Sequence, residues 1–512
     1  MPSEPSSKDS VLYRYMHPLA LWSAVLLLAG ALRDVHALVD AFDTGLYLQW
    51  LYGFWHTGSL ASSLTGEANF LAHHFQPAAL ILAPWVSVFS RPLALFIVSS
   101  VAVFVAWYLG RSYFATNRRW YNATFLILAA QPAIAGRIWY GFVPDILAMP
   151  AFFWMALQLA SLKSKTSEEG EKVICTASYW LFAFIWAGCS KETFWLTNVF
   201  VALVGFYLGA RRLRFFFAVC ALVQVAIFCF LFLSWMPQHS NMQSYYGLSF
   251  YLRAPVTSES VVTLQGLLAA CAENFFSLRT LTTLATLILL TCAFPLLKPS
   301  WVWVAAVPGL FLILLARDGQ VHHPANHYLI PVLPFLMVPA MFAQQRYHQL
   351  LARLRRGVSP LVVAAIPIGY VCFMTNGLID HAQIFYLHPE LTKQHENVQK
   401  AKLLIPERGT TMLVDGMLQP LFYEYRRVHS LLGHVGNPVR LNLSERPSDT
   451  VIVSSIDLKS LPDCRAISLG AAQFRADYEH FAQLCELVKK EGSYLATDPK
   501  GLTVLKIPAT IQ

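Results

Sequence analysis

Charged residues are scarce in this sequence. Only 13% of its 512 residues are Asp, Glu, Lys or Arg, whereas 56% are hydrophobic. Soluble domains carry about 25% charged residues, so the composition excludes an ordinary soluble protein and predicts an α-helical polytopic membrane protein. The net charge of +9 does not indicate nucleic-acid binding, because the basic residues cluster in short loops between apolar runs, as the positive-inside rule predicts.

Several common motifs are also missing. The nine cysteines show no C-x-x-C spacing, which argues against zinc-finger and thioredoxin-like sites. The first apolar span follows Lys8 and Arg14 and has no small-residue cleavage site, so we expect a membrane anchor and not a removed signal peptide. There is no internal repeat. Cys464 and Cys485 lie in a polar region and are candidates for a disulfide in an oxidising compartment.

Long apolar runs are what the sequence has instead. At about 20 apolar residues per span, it predicts about eleven transmembrane helices. They lie near residues 15–33, 77–110, 121–135, 145–161, 173–189, 193–210, 215–235, 279–297, 300–316, 328–344 and 358–377. The run 77–110 is broken around Arg91-Pro92, and the mixed stretch 258–276 has the composition of an interfacial helix.

The distribution of Lys and Arg predicts the orientation in the membrane. Every second loop is basic, and with a cytoplasmic N-terminus all these loops fall on the cytoplasmic side. The basic loops carry Arg111, Arg118, Arg119, Lys163, Lys165, Lys172, Arg211, Arg212, Arg214, Lys298, Arg346, Arg353, Arg355 and Arg356. We therefore expect an integral protein of a bacterial inner (plasma) membrane, with the N-terminus in the cytoplasm and the C-terminal region outside it.

The C-terminal part has a more ordinary charge content from Glu396 onward. Short apolar segments in it predict buried strands, and residues 471–490 have helical apolar spacing. The predicted strands are Thr410–Val414, Thr450–Val453 and Leu502–Ile507. The sequence thus predicts a transmembrane domain over 1–378 and a small extracytoplasmic α/β domain over 379–512, in which no glycine-rich phosphate loop or catalytic triad is found.

Two carboxylates follow the first predicted span, in an outer loop over about 34–76. Asp40 and Asp43 are three residues apart, so on a helix they would share a face, and Gln49 follows them. A carboxylate at a membrane boundary must be satisfied by water, a cation or a substrate. Asp43 is a candidate general base for a transfer reaction. The alternative is that Asp43 caps a helix N-terminus.

Four more polar motifs fall in the predicted outer loops. They are His73-His74, Pro144-Asp145, Lys191-Glu192 and His327-Tyr328. Lysine and histidine side chains suit phosphate binding. The structural alternatives are histidines packed under a loop, a helix cap at Asp145, and a hairpin turn whose Lys191 and Glu192 charges face water. A further alternative is zinc bound by His322, His323 and His327, but that spacing fits no standard zinc site.

These motifs, in this order, resemble a bacterial family of predicted polytopic membrane proteins of unknown function, grouped with the GT-C glycosyltransferase superfamily. The resemblance covers about 34–460 and rests on Asp43-Thr-Gly-Leu-Tyr-Leu-Gln, His74-Phe-Gln-Pro, Pro144-Asp145, Lys191-Glu192 and His327-Tyr-Leu-Ile-Pro-Val-Leu-Pro-Phe335. The family's usual Lys-Glu-Asp motif has Thr193 at its third position here, and its Phe-His-Pro-Asp-like motif has Val143 at its second.

The resemblance implies a GT-C-like fold and a polyprenyl-phosphate-linked sugar as donor. It implies Asp43 as the base, with Asp40 as an assistant or metal contact. Lys191, His327 and His74 would hold the donor phosphate, Asp145 would take part in substrate binding, and Glu192 and Tyr328 would orient these groups. No metal site or cofactor is assigned, although a divalent metal stays open.

The function expected from the sequence is that of a membrane glycosyltransferase at the outer face of the membrane. Its partners would be the lipid-linked sugar donor, an acceptor of unknown identity and membrane lipids, with no nucleic acid. The rival hypotheses are a transporter or flippase of a lipid-linked substrate and a non-catalytic scaffold. A transporter predicts inverted repeats and charges in mid-span, and the sequence shows neither.

Overall fold

A computed structural model gives the architecture of a helical bundle followed by a small sheet. It describes residues 42–64, 69–89, 93–131, 133–134, 142–162, 170–209, 211–239, 272, 275, 277–315, 327–353, 400–405, 411–414, 422, 425, 427–430, 449–454, 458–460, 475–497 and 503–508. The first and the last predicted spans, 15–33 and 358–377, therefore lie outside the described residues, as does most of 258–276.

Helices make up most of the described chain. They are α1 (Phe42–Thr57), α2 (Phe70–His73), α3 (Ala83–Phe89), α4 (Leu93–Gly110), α5 (Arg118–Ala129), α6 (Met149–Leu162), α7 (Gly170–Ser190), α8 (Phe194–Leu208), α9 (Arg211–Phe230), α10 (Met236–His239), α11 (Leu278–Leu290), α12 (Val307–Leu315), α13 (Leu333–Met341), α14 (Gln344–Arg353) and α15 (Arg475–Glu491). Short 3-10 segments precede several of them, at Pro77–Leu82, Pro144–Ala148, Trp301–Ala306 and His327–Leu329.

Two helical stretches among the described residues are long and apolar enough to cross a membrane. Pro144–Leu162 is mostly buried inside the bundle, whereas Leu213–His239 is mostly exposed and includes a π-helical turn at Leu231–Trp235. Six shorter apolar helices accompany them. The exposed apolar surface of Leu213–His239 is what a lipid-facing helix requires, because hydrocarbon replaces water around it.

The helices around α6 and α8 share an aromatic core. Phe152, Phe153, Trp180, Phe194 and Phe335 are among the largest fully buried side chains. Phe152 packs edge-to-face against Phe194 and Phe335, with ring centroids 5.1 and 5.7 Å apart. These contacts pack α6, α8 and α13 together as one unit.

Basic residues gather at one end of this unit, which we call the basic end and define by Arg118, Arg214, Lys298 and Arg346. Arg214 Nε donates to the carbonyl of Gly209, directly after α8, at 3.1 Å. Arg346 Nη1 donates to the carbonyl of Leu297, beside Lys298, at 3.2 Å. Two contacts place the start of α5 here as well: Tyr113 bonds Gln158 near the end of α6, and Trp120 Nε1 donates to the carbonyl of Met341 at 3.0 Å.

The C-terminal part contains a mixed five-stranded sheet with strand order β2-β1-β3-β5-β4. The strands are β1 (Thr411–Val414), β2 (Arg427–Ser430), β3 (Thr450–Ser454), β4 (Ser493–Thr497) and β5 (Thr503–Ile507). β1 is parallel to β2 and β3, and β5 is antiparallel to β3 and β4. The three predicted strands and the predicted helix are confirmed; β2 and β4 were not predicted.

The two faces of the sheet pack against different partners. Side chains alternate along a strand, so Met412 and Val414 join the main core of the bundle, whereas Leu413 packs with Leu484 and Val488 of α15. The sheet is thus a layer between the bundle and α15. The domain boundary at 378/379 stays a prediction, because the structure describes no residue between 353 and 400.

The segment that follows the two carboxylates is helical. Residues Phe42–Thr57, within the predicted outer loop of about 34–76, form α1. Leu46, Tyr47, Leu48, Trp50 and Leu51 of this helix are all buried. They lie on all sides of the helix, so the rest of the protein encloses its central turns. The location of this segment outside the cytoplasm stays a prediction.

Candidate functional site

The turn between α7 and α8 carries Lys191 and Glu192 into the interior of the protein. Both residues are buried, with exposed fractions of 3% and 4%, so the hypothesis of a hairpin whose charges face water is wrong. Gly188 allows the turn to be tight, because a Cβ at this position would lie 2.5 Å from Cε2 of Trp195. Asn198 Nδ2 also donates to the carbonyl of Phe184 at 2.8 Å and links the two helices.

Lys191 forms a buried ion pair with Asp145. Its Nζ lies 2.8 Å from Oδ2 of Asp145, whose side chain is fully buried. The other carboxylate oxygen, Oδ1, accepts a hydrogen bond from Gln76 Nε2 at 3.1 Å. Gln76 Oε1 in turn accepts from the hydroxyl of Tyr47 in α1 at 2.8 Å. Asp145 is therefore held from two sides, and it fixes the position of the Lys191 ammonium.

Glu192 forms a second pair next to the first one. Its Oε1 lies 3.4 Å from Nδ1 of His74. Burial raises the pKa of Glu192, but the hydrogen bond with His74 and the charges of His74 and Lys191 outweigh this effect, so the pKa lies below its ordinary value. The second oxygen, Oε2, is buried and has no hydrogen-bond partner among the described residues.

An aromatic ring completes the surroundings of Lys191. Nζ lies 4.6 Å from the ring centroid of Tyr328, which is within the range of a cation–π interaction. Tyr328 belongs to the 3-10 segment His327–Leu329, which leads into α13. Four elements thus meet at this end of the bundle: the chain around His74, the start of α6, the α7–α8 turn and the start of α13. We call it the site end.

The site end contains groups that can contact an anion beside its two carboxylates. The start of α6 and the start of α8 lie beside the cluster, and helix N-termini carry partial positive charge. Thr193, at the N-cap of α8, makes no side-chain cap hydrogen bond, so its hydroxyl does not occupy the first backbone N–H groups of this helix. The ammonium of Lys191 and the imidazole of His74 add donors that suit a phosphate.

Three of the predicted site residues are placed only in part or not at all. Asp43 lies in the first turn of α1, not at an N-cap position, one helical turn before Tyr47. The next residue, Thr44, accepts a hydrogen bond at its Oγ1 from the backbone amide of Phe142 at 3.2 Å. Phe142 is three residues before Asp145, so the backbone of Asp43 lies next to the cluster. His327 opens its 3-10 segment, but its side chain is outside the described residues, as is the whole of Asp40.

The structure brings together His74, Asp145, Lys191, Glu192 and Tyr328 among the predicted residues. It adds Tyr47 and Gln76, to which sequence reasoning assigned no role. Gln76 could have been found, because it stands two residues after His74 in the same motif. Tyr47 carries no such signal. Gln49 lies elsewhere, with Nε2 donating to Ser63 Oγ at 2.8 Å and to the carbonyl of Tyr425 at 3.3 Å.

The described part of the chain contains no cluster of potential metal ligands. No group of three or more His, Cys, Asp or Glu side chains there could hold an ion.

Cys485 is disulfide-bonded, and Cys464 lies outside the described residues.

Comparison with known proteins identifies the family. Residues 35–494 match the family model DUF2079, described as a predicted membrane protein. The chain belongs to this family. The match confirms the resemblance seen in the motifs and shows that the chain is an integral membrane protein. No curated protein matches the DUF2079 chain significantly.

Two solved structures are loosely similar to this DUF2079 protein. One is the crystal structure of ArnT from Cupriavidus metallidurans bound to undecaprenyl phosphate, at 12% identity and a TM-score of 0.49, covering 95% of this chain and 97% of that chain. The other is the same ArnT in the apo state, at 13% identity and a TM-score of 0.48, covering 95% and 98%.

Proposed function

We propose that this DUF2079 protein is a GT-C-like membrane glycosyltransferase that takes a sugar from a polyprenyl-phosphate-linked donor. The observation that carries the proposal is the buried cluster of His74, Asp145, Lys191 and Glu192 at one end of an apolar bundle. Buried charges cost free energy unless they are paired, and clusters of buried titratable groups concentrate at functional sites. The Lys191 ammonium and the His74 imidazole suit a lipid phosphate, and carboxylates suit acceptor binding and deprotonation.

Lys191 is the residue that we expect to bind the donor phosphate. Asp145 and Tyr328 hold its ammonium in place, so the charge is positioned before the donor arrives. A preorganised cation stabilises negative charge that develops on a leaving group without reorganisation at the moment of reaction. His74 supplies a second donor, and Glu192 orients it through Oε1.

The reaction would be a direct displacement at the anomeric carbon. The acceptor oxygen or nitrogen attacks this carbon and forms the new glycosidic bond. The bond between the carbon and the phosphate oxygen breaks, and its electron pair leaves with the polyprenyl phosphate. Asp43 takes the proton from the acceptor. One displacement inverts the anomeric configuration, and no oxidant, reductant or further co-reactant is needed.

The proposal includes the orientation of the molecule. We expect the site end and the sheet to face the outside, and the basic end to face the cytoplasm, because basic loops are retained there. A single-cysteine variant, Arg118→Cys in a background in which all nine native cysteines are replaced by serine, tests this with a membrane-impermeant thiol reagent. Labelling only in inverted vesicles supports the orientation, and labelling in intact cells contradicts it.

The activity is tested with a panel of radiolabelled polyprenyl-phosphate sugars and the full-length protein in membranes. Wild type and Asp43→Asn are compared for label transfer and for donor hydrolysis. Turnover that disappears in Asp43→Asn, with an unchanged melting temperature, supports the proposal. Equal turnover in both removes Asp43 as the base. Movement of intact donor between leaflets, without cleavage, would instead indicate a flippase.

A further inference from the structure

The Glu192 carboxylate determines which ring nitrogen of His74 carries a proton. Its Oε1 lies 3.4 Å from His74 Nδ1. Burial alone would raise the pKa of Glu192, but the hydrogen bond with His74 and the charges of His74 and Lys191 lower it, so the carboxyl group is ionised. An ionised carboxylate has acceptor oxygens only. The proton of this hydrogen bond therefore belongs to Nδ1, which donates to Oε1.

The proton on Nδ1 fixes what the other ring nitrogen, Nε2, can do. A neutral imidazole carries a single N–H, so with that proton on Nδ1 the Nε2 atom presents a lone pair. A lone pair repels a phosphate oxygen, whereas an imidazolium donates from both nitrogens. The second phosphate donor that the proposed function takes from His74 therefore exists only when this side chain is protonated.

The His74 side chain lies between the buried interior and the surface of the site end. It is 20% exposed, whereas the Glu192 side chain is only 5% exposed. Glu192 thus holds the imidazole from the interior, while part of the His74 side chain stays accessible. A ligand at the site end can therefore contact His74 while the hydrogen bond with Glu192 is kept.

The charges of the cluster also favour a proton on His74 when an anion binds. As an ion pair, Lys191 and Asp145 cancel each other, since Nζ and Oδ2 are 2.8 Å apart. The negative charge of Glu192 is then left over, and the N-termini of α6 and α8 offset a part of it. A phosphate brings a further negative charge, and like charges at short distance repel. A proton on His74 neutralises Glu192 and removes this repulsion.

Several other titratable residues belong to the elements around His74. The rings of His73 and His74 are neighbours, with centroids 4.4 Å apart, and α10 packs against α2. The residues are His73, Asp43 and Tyr47 of α1, Asp145 before α6, Lys191 and Glu192 of the α7–α8 turn, His239 of α10, and His327 before Tyr328. Histidine alone has an ordinary side-chain pKa near neutral pH, so an effect near neutrality must be assigned among these histidines by substitution.

We propose that the site binds the donor phosphate together with a proton on His74, an inference that rests on the proposed function. The imidazolium donates from Nδ1 to Glu192 and from Nε2 to a phosphate oxygen. Glu192 is the positioning residue, because it keeps one proton on Nδ1 and stabilises the positive ring. As the phosphate binds, one proton passes from the solvent to Nε2, and no covalent bond of the donor changes. The affinity for the donor therefore falls as the pH rises.

Calorimetric titration of the full-length protein in phosphatidylcholine nanodiscs tests this coupling. The probe is farnesyl methyl phosphate, a phosphodiester that keeps one negative charge at every pH used, so a pH dependence belongs to the protein. Between about pH 6 and about pH 9, the affinity of wild type should fall at least about tenfold, because a charge-assisted hydrogen bond is lost. Titrations in buffers of different ionisation enthalpy should show that protons are taken up on binding, approaching one for each probe molecule.

Three variants assign the proton to a residue. His74→Asn keeps an amide donor but cannot gain a charge, so its affinity should equal the high-pH value of wild type at every pH. Glu192→Gln removes the charge that stabilises the imidazolium, so the fall in affinity should move to lower pH. His239→Asn is the matched control, because it removes an exposed histidine of α10, which packs against α2; it should keep the wild-type profile.

The outcomes separate this inference from the proposed function. Binding to wild type that is independent of pH and takes up no proton would overturn the inference and leave the donor site in place. A pH dependence that persists in His74→Asn would also overturn it, because the proton would belong to another group. If His74→Asn does not fold, an unchanged pH profile in Glu192→Gln has the same meaning. Absence of binding at every pH would remove the inference and the proposed donor site together.

Discussion

The two ends of the bundle differ in the burial and the pairing of their charged side chains. At the site end, Asp145, Lys191 and Glu192 are buried, and each forms an ion pair with a neighbour. At the basic end, Arg118 is exposed and Lys298 half-buried, and the described charges are of one sign. The same helices, α6 and α8, connect both ends. The contrast shows that the described charges at the basic end stay at least partly exposed, whereas those at the site end are buried and depend on their partners, because burying an unpaired charge costs free energy.

The largest effect is expected from removing one partner of the buried pair. Lys191→Ala leaves the Asp145 carboxylate buried without its cation, which should lower the free energy of unfolding by about 3–5 kcal/mol. Thermal unfolding in detergent, followed by intrinsic fluorescence, measures the loss. Arg118→Ala is the matched control at the basic end and should change stability by less than about 0.5 kcal/mol. Similar losses of stability in both variants would contradict the difference between the two ends.

A double variant sharpens the same comparison. In Asp145→Asn/Lys191→Met no unpaired charge remains buried, so we expect it to recover at least half of the stability lost in Lys191→Ala. Its sugar transfer should stay absent, because the phosphate-binding ammonium is gone. If stability and transfer recovered together, Lys191 would have only a structural role.

Next in size is the effect of crowding the α7–α8 turn. Gly188→Ala places a Cβ against the indole of Trp195, so a backbone shift is needed that should cost about 1–3 kcal/mol. It should also lower transfer, since Lys191 and Glu192 follow within four residues. Gly53→Ala in α1 is the control, because nothing lies within 4 Å of its added Cβ; we expect it to be neutral or to stabilise by about 0.5–1 kcal/mol. Equal melting temperatures for both variants would contradict the tight turn.

A smaller effect is expected from Tyr47→Phe. The variant removes the hydroxyl that donates to Gln76, which should cost about 1 kcal/mol. Because Gln76 also bonds Asp145, the rate of transfer should fall more than stability does. Donor kinetics together with a melting curve separate the two effects. A change in stability with an unchanged rate would show that the chain from Tyr47 to Asp145 does not position Lys191.

The smallest effect concerns pH. The pKa of Glu192 in the folded protein is below its ordinary value, so its ionised form contributes stability that is fully present above the ordinary glutamate pKa. This contribution is lost as the pH falls through the lowered, folded-state pKa. Melting temperature against pH should therefore drop less steeply in acid for Glu192→Gln than for wild type. Parallel curves would mean that the pairing with His74 does not affect stability.

Much of this arrangement could be predicted from the sequence, and the reasons are specific. Spans such as 145–161 and 193–210 were found because their apolar runs are long, and the structure places helices at Pro144–Leu162 and Phe194–Leu208. Lys191 and Asp145 were selected because charge is rare beside such runs. That they pair with each other could not be predicted, since they are 46 residues apart and nothing local encodes the contact.

Other features were out of reach for related reasons. The sequence indicated a helix at α1 only as the one that Asp43 would cap, and its bounds and complete burial were not predicted, because burial on all sides depends on the tertiary structure. Strand β2 reads Arg-Val-His-Ser, which lacks the apolar content of a typical strand; its pairing with β1 defines it. The role of Tyr47 depends on where α1 lies against Gln76, and this is a property of the tertiary structure alone.

The most direct test of the central claim compares donor kinetics for variants at the two ends of the bundle. With the sugar donor that gives turnover, kcat/KM is measured for wild type, Lys191→Gln and Lys298→Gln in nanodiscs of phosphatidylcholine. We predict a loss of at least about tenfold for Lys191→Gln, because a charge-assisted contact to the phosphate is removed, and a value for Lys298→Gln within about twofold of wild type. A loss confined to Lys298→Gln, with Lys191→Gln at wild-type level, would contradict the account.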